Sequence, residues 1–243
     1  MALLMIRSVS CAVRVTQTSV RKCWLRSRSY SKTSAIGQIQ TPDPQSYIEA
    51  SDNETFKILA NDMLVYDNFL TKEEEKSLIT EIEPVMKRMR YEYEHWDDAI
   101  HGYRETERKK WNNENQLILK RVRECSFPVG TPQIDFTHIL DLKKDGYIKP
   151  HVDAVRFCGR VIAGLCLLSP CVMRLVMVDD KTRYGDILLN QRALYVMKDR
   201  ARYEFSHEVL EESKSSFKGN VVTRDRRISV MCRNEPDKEN RET

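Results

Sequence analysis

Apolar residues recur every three or four positions between 71 and 89, where Leu78, Ile79, Ile82, Val85, Met86 and Met89 fall on one side of a 3.6-residue helix. Thr71, with Glu74 three residues later, supplies a capping-box pattern at its start, and Pro84 is expected to kink or end it. The run "MLVY" before this helix predicts a short strand, and a second helix is expected over 113–125. From Gln133 onward the period changes to two. The segments "QIDFTHILDL", "RVIAGLCLLS", "VMRLVMVD", "DILLN", "ALYVM" and "RRISVMCR" are short and apolar or β-branched, and the turn signals "KKDG", "SP", "DDKTRYGD" and "NQR" separate them. Between the helices, "YEYEHWDDAIHGYRETE" predicts two short strands about a turn. Strands in this number behind helical elements predict a mainly β protein with supporting α: a double-stranded β-helix, or jelly roll, with N-terminal helices packed on one sheet.

The ends of the chain follow no such period. Residues 1–30 contain Arg and Ser but no acid, with Leu3, Leu4, Ile6, Val9 and Val13 at near-helical spacing, the signature of a mitochondrial transit peptide. "RSYS", Arg28 to Ser31, fits a matrix-peptidase cut and places the mature start near Ser31 in the mitochondrial matrix. Residues 31–55, polar and with two prolines from 35 onward, are expected to be a flexible linker, 56–234 the folded domain, and 235–243 a disordered tail.

Charge then narrows the class of partner. Seven basic residues precede the first acid, Asp43, and removing them from the formal net charge of +4 leaves the remainder at −3 (4 − 7). The folded part therefore offers no electrostatic case for non-specific nucleic-acid binding. No apolar run approaches the ~20 residues of a membrane span, so no membrane insertion is expected. Cys125, Cys158, Cys166, Cys171 and Cys232 form no C-x-x-C pair and sit among aliphatic residues, which predicts small core hydrophobes rather than a thiolate zinc site.

Candidate chemistry lies in "GYIKPHVDAV" and "RRISVMCR". In a strand His151 and Asp153 would share one face, about 7 Å apart at Cα, close enough to hold one ion. A third ligand should come from a neighbouring strand, and His207 is the histidine downstream; two His and one Asp make the facial set that suits non-haem Fe(II). On its own, His-x-Asp fits a surface strand end better than a metal site, and it is the downstream residues that change the balance. In the last strand Ile228, Val230 and Cys232 share a face, and Arg227, Ser229, Met231 and Arg233 share the other. Inward-facing arginines call for an anion, and a dicarboxylate such as 2-oxoglutarate meets that need through a guanidinium fork.

Together His151-x-Asp153, His207 and Arg227-x5-Arg233 resemble the AlkB-type Fe(II) and 2-oxoglutarate-dependent dioxygenases, over roughly residues 60–234. "LDLKKDGYIKPHVDAVRFCG", "IAGLCLLSP" and "ARYEFSHE" are similar to a mitochondrial branch of that family in animals. The resemblance implies His151, Asp153 and His207 as iron ligands and Tyr195, Arg227 and Arg233 as 2-oxoglutarate contacts, with Fe(II), 2-oxoglutarate and oxygen as cofactor and cosubstrates and no side chain needed as general acid or base. Where relatives carry Asn-x-Tyr ahead of H-x-D, this chain has Leu140 and Leu142, with His138 as a candidate polar substitute. Residues 90–110, where a nucleobase lid would lie, balance Arg90, Arg104, Arg108, Lys109 and Lys110 against Glu92, Glu94, Asp97, Asp98, Glu105 and Glu107. That balance speaks against a nucleobase lid, and the resemblance implies protein hydroxylation, with links to fatty-acid metabolism and to programmed necrosis after alkylation damage; a monomer is expected. The alternatives are a demethylase of mitochondrial RNA and a metal-binding regulator with little catalysis.

Overall fold

The computed structural model describes residues 42–93 and 99–240. The expected transit peptide, the centre of the aromatic segment at 94–98 and the last three residues lie outside them.

The order opens with α1 (Pro44–Tyr47), β1 (Ile48–Ala50), α2 (Asn53–Asp62), β2 (Met63–Tyr66) and α3 (Lys72–Met86), then β3 (Ile100–Arg108) and α4 (Asn113–Ser126). Next come β4 (Thr137–His151), β5 (Val161–Leu167), β6 (Cys171–Met177), β7 (Tyr184–Leu189), β8 (Leu194–Lys198), α5 (Asp199–Tyr203) and β9 (Phe205–Val209). A small hairpin, β10 (Ser216–Phe217) with β11 (Asn220–Val221), precedes the last strand, β12 (Arg227–Arg233). In α3 the capping box forms as the sequence implies, and Pro84 is carried inside the helix, which stops two residues later.

The linker expected over 31–55 differs from what its second half does. Asp43 caps α1, Asp52 caps α2, and β1 joins the main sheet by pairing Ile48 with Ile187 and Ala50 with Gly185. Tyr47 and Ile48 bury their side chains in the core, and that outweighs the polar composition around them. At the other end the tail expected from 235 contains a 3-10 turn over Lys238–Asn240.

The strands run in the order β1-β7-β6-β9-β4-β12-β5-β8-β2, with β3 paired to β4. Strand β4 belongs to both halves of this curled sheet. Its residues 138–142 pair with β12, whereas Ile148 and His151 pair with β9. "KKDG" is therefore not a turn between strands but a wide bulge within one, across which the register to β3 moves from Tyr103↔Leu142 to His101↔Tyr147. Two glycines permit it. Gly102 has φ +68°, and a Cβ on Gly146 would lie 2.6 Å from the Gly102 carbonyl oxygen and 2.8 Å from that of His101. The buried Arg224 donates to the carbonyls of Lys144 and Gly146 that the bulge frees.

Among the described residues two large apolar cores follow, with a small third one of Val172, Leu210 and Phe217. One lies between the sheet halves and includes Leu142, Leu175, Ile187, Tyr195, Phe205 and Val209. The other places Leu78, Ile82 and Met86 of α3 and Ile118, Leu119 and Val122 of α4 against Ile228, Val230 and Cys232 of β12 and their neighbours. The fold is thus a mainly β jelly roll with helices braced on one sheet. Because β12 alternates, Arg227, Ser229, Met231 and Arg233 are turned toward the interior that holds the candidate site.

Candidate metal centre

Antiparallel pairing of β4 with β9 sets His151 opposite His207, with ring centroids 4.3 Å apart. Pairing of Leu175 in β6 with His207 fixes β9 from its other side. Asp153 arrives differently from the expected two-residue alternation, since β4 ends at His151 and Asp153 lies beyond it in the loop 152–160. The chain turns back so that Asp153 Oδ1 is 3.7 Å from His151 Nε2 and its Oδ2 is 4.0 Å from His207 Nε2. One ligand atom from each of the three lies within 4.8 Å of the others, and no second such group of His, Cys, Asp and Glu occurs among the described residues.

The protonation pattern matches the geometry. His151 Nδ1 is 3.0 Å from the Lys149 carbonyl, which accepts its proton and leaves the Nε2 lone pair facing the centre. Burial, then the neighbouring His151, pushes the His207 imidazole down to about 4, so it is neutral at physiological pH. Burial opposes charge on Asp153 as well, but His207, His151, Arg202 and Arg233 together hold its carboxyl below the usual range. The neutral His207 imidazole, the His151 ring with its Nδ1 already bonded and the Asp153 carboxylate thus converge, a donor set that fits a divalent cation with open positions.

The expected cosubstrate contacts line the adjoining interior. Arg227 is 1% exposed, and among the described residues no carboxylate pairs with it. Its Nη2 reaches only the Cys166 thiol, at 3.6 Å, and its Nε has no partner. A cation so placed is unbalanced until an anion joins it. Tyr195 on β8 lies opposite Gly164 on β5, and any Cβ at Gly164 would run into the tyrosine ring, so this glycine gives the ring its place. Burial raises the Tyr195 hydroxyl above its ordinary value against the pull of Arg227, which keeps it a neutral donor. Arg233, at the other end of β12, donates to Glu107 at 3.3 Å and lies near enough to Asp153 to stabilise its charge. Leu140 and Leu142 are core residues here, and His138, the candidate substitute, pairs instead with Glu105 at 2.8 Å.

Two further buried arginines, Arg202 on α5 and Arg224 ahead of β12, were not singled out by the sequence. Neither stands in an alternating run that would show which way it points.

No family model matches the chain. It is 46% identical over 192 residues to the alpha-ketoglutarate-dependent dioxygenase alkB homolog 7, mitochondrial, of Mus musculus, covering 79% of this chain and 87% of that protein. The protein of the same name from Bos taurus is 44% identical over 199 residues, covering 82% and 90%. Among solved structures, that of OsALKBH1 superposes with a TM-score of 0.51 at 11% identity over 71% of this chain and 97% of that one, a likeness of fold. With close to half the residues shared along nearly the whole of the mouse and bovine proteins, and with the His-Asp-His grouping in place, the chain belongs to the AlkB family of alpha-ketoglutarate-dependent dioxygenases, enzymes that work with Fe(II), 2-oxoglutarate and oxygen.

Proposed function

We propose that this chain is a mitochondrial matrix dioxygenase that hydroxylates a protein side chain, with Fe(II) held by His151, Asp153 and His207 and 2-oxoglutarate by Tyr195, Arg227 and Arg233. The observation that carries the reading is the convergence of three lone-pair ligands beside a dry, uncompensated arginine. The acid-free basic start of the chain and the mitochondrial names of its relatives support the compartment.

When bound, Fe(II) supplies the redox chemistry by which 2-oxoglutarate is split to succinate and CO2 while a C–H bond of the substrate is oxidised. The protein's own part is placement. Arg227 offers two parallel N–H bonds to the distal carboxylate, Tyr195 adds a neutral hydroxyl donor, and Leu140 and Leu142 keep water from the interior around them. No side chain here has to move a proton as acid or base.

For the substrate, the deciding feature is β3, which pairs antiparallel with β4 and sets Glu105 beside His138 and Glu107 beside Arg233. A phosphate backbone approaching this edge meets carboxylates, whereas a polypeptide does not need the opposite charge. One observation favours the RNA alternative. His101 stacks on Tyr147 at a centroid distance of 5.1 Å and meets Tyr93 edge-on at 5.0 Å, and the Lys143 Nζ lies 5.7 Å from the Tyr93 ring centre, an aromatic and basic patch of the kind that takes a base.

The test is capture and mass spectrometry of matrix proteins and RNAs from mitochondria that contain either the native chain or His207→Ala. Peptides that gain one oxygen atom only with the native chain are expected. Loss of methyl groups from RNA nucleosides would establish the second reading, and succinate formation that His207→Ala leaves unchanged would refute both. The links to fatty-acid metabolism and programmed necrosis would then be judged by what the captured target is.

A further inference from the structure

Since Asp153 stands in a loop and not on a strand, its carboxylate is placed by whatever holds that loop. Two contacts come from Asn234, just past β12: its carbonyl accepts from Gly159 N at 2.9 Å, and its Oδ1 accepts from Val161 N at 2.8 Å. Gly159 packs so closely on the Asn234 amide that no Cβ fits there. At the loop's end the Arg160 guanidinium donates to Asp199 and its carbonyl accepts from Asp199 N, and a further hold comes from Arg202. From α5 its Nε donates to the Gly159 carbonyl at 3.3 Å, and its Nη2 to the carbonyl and thiol of Cys158, each at 3.4 Å.

Several features mark this arginine as more than a packing residue. It is 1% exposed, and no carboxylate among the described residues pairs with it. Its Nη1 is buried without a partner. Its positive charge is felt by both Asp153 and His207. It also sits on the connection between β8 and β9, so that the helix carrying Arg202 runs directly into the strand carrying His207. A cation buried this deeply is costly unless its surroundings use the charge.

We infer that Arg202 is a positioning residue of the metal centre: it clamps the loop bearing Asp153 to the segment leading into His207, and it brings a buried positive charge to the carboxylate side of the centre. The inference rests on the proposed metal ligands. Outer partners that orient ligands change metal affinity without touching the ion, commonly by about ten- to a hundredfold. Loss of Arg202 should therefore weaken metal binding and distort its geometry while the ligands themselves remain.

Anaerobic titration of the full chain with Co(II), read by its visible absorption, tests this in four variants. His207→Ala is expected to lose saturable binding; binding as tight as in the native chain would overturn the ligand assignment itself. Arg202→Met, folded by circular dichroism, is expected to bind Co(II) at least about tenfold more weakly with an altered spectrum. Arg202→Lys keeps the charge but cannot span both carbonyls, so partial rescue of affinity is expected with the spectrum still altered. Arg200→Met, on the same helix but exposed and paired with Glu204, should match the native chain. A folded Arg202→Met with native affinity and spectrum would overturn the inference. If that variant does not fold, native affinity and spectrum in Arg202→Lys would overturn it instead, and weakened binding there would support it.

Discussion

The two arginines of β12 show how far one side chain's surroundings decide its task. Arg227 is dry, meets a thiol as its nearest acceptor, and adjoins the Tyr195 hydroxyl; Arg233 is partly exposed, paired with Glu107 and close to Asp153. A bidentate fork matters at the first position, where lysine offers only a point charge. Arg227→Lys should raise the apparent 2-oxoglutarate constant tenfold or more, about 1.4 kcal/mol, with iron binding intact. Arg233→Lys should slow turnover or uncouple it from substrate oxidation, because its charge acts beside the metal. Succinate formation followed against 2-oxoglutarate concentration separates them, and equal effects on the constant would refute the division.

Elements with an unbroken period were legible in the sequence, and those with an interruption were not. β12 alternates without a flaw, so its inward arginines could be read directly, and α3 carries a complete capping box. β4 hides its length because the bulge at 143–146 looks like a turn, and the short α1 and β1 have too few residues for any period to show. The pairing of His151 with His207 was foreseen as a need for a neighbouring strand, but the loop position of Asp153 and the hold of Arg202 on that loop are long-range facts. The bulge also gives a test at this level. Gly146→Ala puts a methyl against two backbone carbonyls and the Leu142 side chain, none of which can withdraw freely. It should cost roughly 1–3 kcal/mol in urea unfolding. It should also weaken metal binding, since the bulge sets where β4 resumes pairing and hence where His151 meets β9. Unchanged stability would mean that β4 can shift its register without loss.

In the molecule as a whole, His207 is buried between two sheet halves while the other candidate ligands, His151 and Asp153, stay partly open, and this placement makes stability depend on pH. His207 titrates near 4 in the folded protein against 6.5 for an unperturbed imidazole, because burial and His151 disfavour its charge more than Asp153 favours it, with Arg202 adding to the repulsion. The unfolded chain therefore takes up a proton below 6.5 that the folded, metal-free chain refuses until about 4. Stability from this group is fully present above the unfolded value, falls as pH drops through the window between the two, and levels off below it. The loss should amount to roughly 3 kcal/mol at most. Asp153, whose carboxyl is held below its ordinary range, adds a further loss at still lower pH and not within this window. Bound metal should steepen the decline, since protons then compete with the ion for the same nitrogen. Urea unfolding of the metal-free chain at several pH values between 7 and 4 measures the slope, and His207→Ala should flatten it. A slope that survives that substitution would place the responsible proton on a different group and remove His207 from the account.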